Sequence, residues 1–247
     1  MPRRKDIDDL LRSWPFVPGV VSARLVQAKD KRQVLQMRVE MGILQMETEN
    51  RPDGDRPGGA DTYLDFIIQE LSHQEEGTAL TPEQCAELDR EFLQYYHRRI
   101  CWLAIREFER AVEDADHTLD LMDFVVKHSP TEDWSMSHEQ YRPFVLFHRT
   151  QAAALAQLER GGPEAAIEEV THGLTQIRRV FKAVDADEQY EEDPLVKQLL
   201  ELQDWIRKQY HVGRTLVEQL ADAVAAEQYE LAARLRDQIA QRRPKGD

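Results

Sequence analysis

The chain has 247 residues, of which 41% are hydrophobic, so it can bury one large core or two smaller ones. It carries 46 acidic against 32 basic side chains, a net charge of −14, which argues against a broad duplex-DNA surface, where Lys and Arg must neutralise phosphates. Cys85 and Cys101 form no CxxC pair, so they build no thiolate zinc site by themselves, and both are expected as buried apolar fillers.

The opening "MPRRKDIDDLLRSW" lacks the apolar stretch of a signal peptide. No run approaches the roughly 18 to 20 apolar residues that span a bilayer. The expectation is a soluble, cytoplasmic protein without membrane contact.

Period-two alternation occurs only near the start. "VVSARLVQ" at 20–27 and "QVLQMRVEM" at 33–41 flank "AKDKR", which reads as a hairpin turn. Leu35, Met37, Val39 and Met41 share one face, while Gln36, Arg38 and Glu40 share the other. Leu44 and Met46 continue with shifted parity after Gly42, as a bulge at that glycine would produce. Two strands alone are marginal in water, so this hairpin needs helices, a further strand or a second copy against it. "NRPDGDRPGG" at 50–59 closes the region as a turn-rich loop.

From Asp61 onward the pattern is helical. "DTYLDFIIQELSHQ" opens on a capping Asp61 and puts Leu64, Ile67, Ile68 and Leu71 on one face. "TPEQ" at 81–84 is a capping box with Pro82 in the first turn. No Gly or Pro follows until Pro130, too far for one ordinary helix, and a break is placed near Phe108. "SHEQ" at 137–140 reads as a second capping box, with Pro143 just inside it. "ERGGPEAA" at 159–166 is a helix–turn–helix joint. "DADEQYEED" at 185–193 reads as an acidic linker, after which Asp193 and Pro194 start a helix to about Tyr210. Gly213 separates that helix from two short ones.

"RAVEDADHTL" at 110–119 and "AAIEEVTHGL" at 165–174 match at an offset of 55 residues. Ala111 pairs with Ala166, Val112 with Ile167, Glu113 with Glu168, Asp114 with Glu169, His117 with His172 and Leu119 with Leu174. This resembles the tetratricopeptide (TPR) repeat, where a small residue on the second helix allows close packing on the first. Phe108 and Ala111, and Ala154, Gly161 and Ala166, fit that family's spacing. The period departs from the family's value of about 34, so the implied body is a set of TPR-like hairpins of irregular spacing.

The last stretch, "GRTLVEQLADAVAAEQYELAARLRDQIAQRR", predicts two short helices meeting near Gln228. Leu216, Leu220 and Val224 share a face of the first, with Ala223 beside them. Tyr229, Ala232, Leu235 and Ile239 share a face of the second. Ala232 and Ala233 are small enough for the backbones to cross closely, and Glu230 stands four residues before Arg234 as an exposed pair. So short a hairpin is not expected to bury its own stripe, which leaves that stripe for docking on the body, on a second copy or on another protein.

"YELAARLRDQI" is similar to the UVR motif of the excision-repair proteins UvrB and UvrC, also found in McsA-type adaptors and Clp-type ATPases. Tyr229, Glu230, Ala232, Ala233, Leu235, Arg236, Asp237 and Ile239 fill the family pattern, while Glu227 stands where an aliphatic residue is usual. The resemblance implies a helical hairpin that mediates protein–protein contact. The partner-binding residues it implies are Leu216, Leu220, Val224, Tyr229, Glu230, Ala232, Leu235, Arg236, Asp237 and Ile239.

The expected fold is mainly α. Residues 1–60 form an N-terminal β-hairpin region (a small antiparallel sheet), 61–184 a helical TPR-like body, 185–193 the linker, 194–212 a connecting helix and 213–243 the UVR-type hairpin. The sequence has no GxxxxGK[ST] phosphate loop, no HExxH and no GxSxG elbow. No enzyme activity, cofactor or metal is expected. The leading expectation is an adaptor docking a UvrB/UvrC-like or Clp-like protein through its terminal hairpin. A second is a nucleic-acid-associated protein using Arg24, Lys29, Lys31, Arg32 and Arg38 with Trp14 and Phe16, although direct nucleic-acid contact ranks below the first. A third is a purely structural homodimer held by the hairpins, a homo-oligomer of this chain.

Overall fold

The computed structural model describes residues 6–72 and 78–242. The chain divides into two compact units, residues 1–152 and 153–247. The architecture is mainly helical, with a small antiparallel sheet near the N-terminus and a helical pair at the other end.

In the first unit a short helix α1 (Asp8–Ser13) precedes strands β1 (Ser22–Gln27), β2 (Gln33–Val39) and β3 (Gly42–Glu47), in sheet order β1-β2-β3. The expected bulge at Gly42 is instead a chain reversal: Val39 pairs with Gly42 across the two-residue turn Glu40–Met41. That reversal is what shifts the parity. Leu35 lies opposite Met46, and Met37 opposite Leu44, so the apolar pattern stays on one face. Met41, expected on that face, is at the exposed turn tip.

Leu35 and Met46, with Ala23, Leu25 and Met37 beside them, pack on Cys101, Trp102, Ala111 and Ala152. The opposite face is not the solvent face that alternation predicts. Gln36 and Arg38 are buried there. Arg24, Gln36 and Gln45 form a cross-strand ladder, in which Gln36 Oε1 accepts from Arg24 and Gln36 Nε2 donates to Gln45 at 3.0 Å.

Helices α3 (Pro82–Ala104) and α4 (Phe108–His128) cover the sheet's apolar side, and α2 (Tyr63–Leu71) packs on these two helices. The cap of α2 is Thr62 rather than Asp61, because the Thr62 hydroxyl reaches the Asp65 N–H. Ile68 points outward, while Tyr63, Leu64, Ile67 and Leu71 enter the core with Leu88, Leu121 and Val125. The expected run of this helix through 73 and 74 lies outside the described residues. The Thr81/Gln84 capping box is present, and α3 ends at a left-handed Arg106 just before Phe108, where the break was expected. Cys85 and Cys101 are buried and free, and burial pushes the Cys101 thiol up to about 12.

Buried charge links these elements. Arg98 on α3 grips Asp114 on α4, with Nη2–Oδ1 at 2.6 Å and Nε–Oδ2 at 3.0 Å. Its Nη1 donates to the carbonyls of Glu47 (3.2 Å) and Asn50 (2.7 Å), at and just past the end of β3. Glu91 is wholly inaccessible. Its oxygens accept the first two N–H groups of α2, from Tyr63 at 2.6 Å and Leu64 at 3.1 Å. The same carboxylate meets His117 Nε2 at 3.0 Å and Arg51 Nε at 3.6 Å. Thus the 50–59 loop is fixed from inside by an arginine 1% exposed.

Helix α5 (Glu132–Glu139) is capped by Thr131, whose hydroxyl accepts from Trp134 N–H. The expected capping box at Ser137–Gln140 is therefore the end of a helix. Thr131 precedes two acidic first-turn residues and wins the role. Helix α6 (Arg142–Arg160) then starts with Pro143 in its first turn.

In the second unit α7 (Pro163–Ala183) follows the Gly161–Gly162 joint, where Gly162 takes φ +90. Ala166 and Ile167 pack on Ile206 of α8 (Pro194–Tyr210), with Leu158, Leu202 and Val212 around them. The acidic stretch is not an open linker. Residues Asp187–Glu192 form a 3-10 turn, and Tyr190 is buried with its hydroxyl donating to the Leu174 carbonyl at 3.1 Å. Asp193 caps α8 as expected.

Ala111 and Ala166 are both fully buried, which fits their matched positions. Their neighbourhoods differ, since His117 stacks on Tyr95 whereas His172 faces solvent. Helices α3 and α4, at 23 and 21 residues, already exceed one TPR unit of about 34.

Replacing Glu91 by Ala takes one carboxylate away from Arg51 and strands two buried N–H groups. A loss of about 3–5 kcal/mol is expected in urea unfolding of the first unit, with Glu91→Gln losing less. His148, buried beside Arg99, is held down to about 4 by desolvation and by that guanidinium. The unfolded chain therefore takes up this proton first. Stability should fall by up to about 3 kcal/mol as pH drops from 6.5 towards 4, and His148→Gln should flatten that limb of the urea-midpoint profile.

Candidate interaction site

The terminal hairpin is α9 (Leu216–Ala225) and α10 (Tyr229–Arg242). His211 adopts a left-handed conformation and ends α8. Thr215 then opens α9 with a capping box: its hydroxyl accepts from Glu218 N–H, and Glu218 accepts from Thr215 N–H at 2.8 Å. The T-x-x-E pattern at 215–218 is the sequence signal of that box. Glu218 also pairs with Arg207 of α8, which donates to the Gly213 carbonyl at 2.5 Å as well. Burial works against the charged form of Glu218, but Arg207 and the Thr215 N–H hold its carboxyl below the ordinary value. The hairpin is thereby tied to the last turn of the preceding helix.

The two helices join through Ala226–Gln228, with Glu227 in the left-handed region at φ +56. This exposed turn position has no core to fill, which accounts for a glutamate where the motif usually carries an aliphatic residue. Past the turn the helices close on each other. Ala223, Ala232 and Leu235 form a buried cluster flanked by Leu216 and Leu220, and Ile239 is half-buried. Ala232 is the small residue at the crossing; Ala233 faces solvent.

This corrects the expectation that the apolar stripe stays open for a partner. The hairpin uses Leu216, Leu220, Ala232 and Leu235 on itself. Val224, expected in the stripe, is 54% exposed, and Ala223 takes its place inside. Tyr229 is 70% exposed, and Leu231, absent from the expected set, is 43% exposed. Tyr229 and Leu231 line one shallow depression with Glu227, Gln228, Glu230 and Arg234. The sequence signal for Leu231 was an aliphatic residue off the helical stripe. Glu230 and Arg234 approach only to 4.0 Å and are solvated. Arg236 and Asp237 pair with each other at 3.0 Å and are exposed, so neither contributes to the internal seam.

The family model described as the UvrB/uvrC motif (UVR) matches residues 214–241. This hairpin is a UVR motif. No curated protein and no solved structure gives a match to the chain. The UVR frame places its two alanines at one seam and one solvent position, and its Arg-Asp pair wholly on the outside.

The N-terminal basic residues are largely committed elsewhere. Arg38 is buried, donating to the carbonyls of Trp14 at 2.7 Å and Gly42 at 2.9 Å. Arg24 lies 4.0 Å over the Trp14 ring, and the indole N–H donates to Ser22 Oγ. Arg32 pairs with Asp30 and Glu47. Phe16 is half-buried, while Lys29 and Lys31 are exposed at the β1–β2 turn. Among the described residues no group of three or more His, Cys, Asp or Glu is set to hold a metal ion, and no helix is long and apolar enough to cross a membrane.

Leu235→Asp should unfold the UVR hairpin, because its carboxylate would enter the internal seam without a partner. Val224→Asp should leave it folded. Amide hydrogen exchange over 216–242 separates the two, with protection lost only in the first variant.

Proposed function

We propose that this chain is a non-enzymatic adaptor that docks another protein through the turn end of its UVR hairpin. The observation that carries the reading is the exposure of Tyr229 beside Leu231, with Val224 at the same end. The internal seam explains the buried positions of the motif but gives no reason for an aromatic residue in solvent. Exposed aromatic and aliphatic anchors ringed by charge are the usual centre of a binding interface. The outward Arg236–Asp237 pair supplies a polar rim that can exchange its mutual hydrogen bonds for intermolecular ones.

A UvrB/UvrC-like or Clp-like protein is the partner class that the motif suggests. Calorimetry of the full chain against purified UvrB, UvrC and Clp-type ATPase from the same host tests this. Tyr229→Ala should weaken binding to one of them by at least about 2 kcal/mol while the hairpin stays protected. Absence of binding to all three, or binding insensitive to Tyr229→Ala, would reject the reading. Self-association that survives dilution and is abolished by the same substitution would favour the homo-oligomer instead. The nucleic-acid alternative has less support, because Arg24, Arg32 and Arg38 already serve the sheet.

A further inference from the structure

The first unit carries a polar cleft of about 290 Å³ between residues 48–50, which follow β3, and helix α4. A larger depression of about 760 Å³ adjoins it and shares Thr48, Glu49, Asn50 and Arg110. Most charges lining the two are already paired. Arg98 holds Asp114, Arg51 holds Glu87 and Asp53, Arg32 holds Glu47, and Arg56 holds Asp61.

Among the cations lining the two, Arg110 alone has no such ion pair among the described residues. Its guanidinium lies 4.8 Å over the ring of Trp102, and its buried Nη1 has no hydrogen-bond partner. A buried cationic N–H without an acceptor is costly, and the stacking on Trp102 fixes it in place. Arg110 also sits in the first turn of α4, where the helix dipole adds to the attraction for an anion. Glu49 and Glu113 line the same cleft and are exposed, with no ion pair to Arg110 among the described residues. The uncommitted charges are thus one half-buried cation and two rim carboxylates. A simple anion would meet repulsion from both glutamates. A solute bearing a carboxylate at one end and ammonium groups at the other satisfies all three.

We propose that this cleft binds a small amino-acid-like zwitterion, its carboxylate on Arg110 and its cationic groups towards Glu49 and Glu113. A cleft of about 290 Å³ has room for a solute of amino-acid size. L-lysine has that size and carries one carboxylate and two ammonium groups, so it is the probe.

The experiment is calorimetry on the full chain, with side-chain ¹⁵N–¹H spectra of the arginines, against L-lysine, acetate, n-butylamine and inorganic phosphate. L-lysine is expected to bind and to move the Arg110 Nε–H signal. Acetate should bind at least about tenfold more weakly, and n-butylamine and phosphate should leave that signal in place. Arg110→Gln should abolish lysine binding. Glu113→Gln changes a surface position and should narrow the gap between lysine and acetate, which keeps the test open if Arg110→Gln fails to fold. The proposal is overturned if lysine gives neither heat nor a shift. It is equally overturned if folded Arg110→Gln binds lysine as the parent does, if Glu113→Gln leaves the lysine-to-acetate ratio unchanged, or if phosphate is the preferred ligand.

Discussion

Glu91 has no contact with water, yet four parts of the first unit meet on its two oxygens: the start of α2, the 50–59 loop through Arg51, α4 through His117, and its own helix α3. A carboxylate buried this way is tolerated only when donors surround it, because desolvation otherwise exceeds the attraction of any single partner. The donors come from segments far apart in the chain. None of those segments can leave without stranding the charge. The Arg98–Asp114 pair repeats the arrangement about two turns on along α3 and three residues back along α4, where it also fixes the end of β3. Between them the two centres set the height of the loop over α3 and α4, and so the walls of the cleft that Arg110 faces.

The sheet depends on the same framework. Three short strands bury little by themselves. Leu35 and Met46 become core only because Cys101, Trp102 and Ala111 stand under them. The arginine-rich character of this region serves that assembly from the other side: Arg38 satisfies carbonyls that would otherwise be orphaned around the Glu40–Met41 turn, and Arg24 covers Trp14. Basic residues that look like a nucleic-acid surface in one dimension are structural in three.

The UVR hairpin works by a different economy. With Ala223 and Ala232 at the crossing, two helices approach closely enough for Leu216, Leu220 and Leu235 to close a seam without outside help. Small size at the crossing therefore frees the rest of the motif. What remains outside is an aromatic ring and two aliphatic side chains near the turn that Glu227 completes, and an Arg-Asp pair two turns further along α10. The interaction chemistry and the folding chemistry of the motif are carried by different residues.

The mainly helical class, the break before Phe108, the Thr81 and Asp193 caps, the Gly-Gly-Pro joint and the terminal helical pair were all legible in the sequence. Each rests on local physics: capping hydrogen bonds, proline in a first turn, glycine at positive φ, and apolar spacing along one helix. The UVR motif was legible for the same reason, as a short contiguous pattern. The reversal at Gly42, the packed turn around Tyr190 and the capping of α2 by Thr62 were not, because near neighbours offered equally good local signals. Nor could spacing tell which side of each short helix would meet its mate: Ala223 and Val224 stand three and four residues after Leu220, equally good continuations of its face, and only the crossing of α9 and α10 decided that the alanine goes in. The Glu91 and Arg98 networks and the unpartnered Arg110 were beyond reach altogether, since they join residues separated by tens of positions and depend on burial, which no single stretch of sequence encodes.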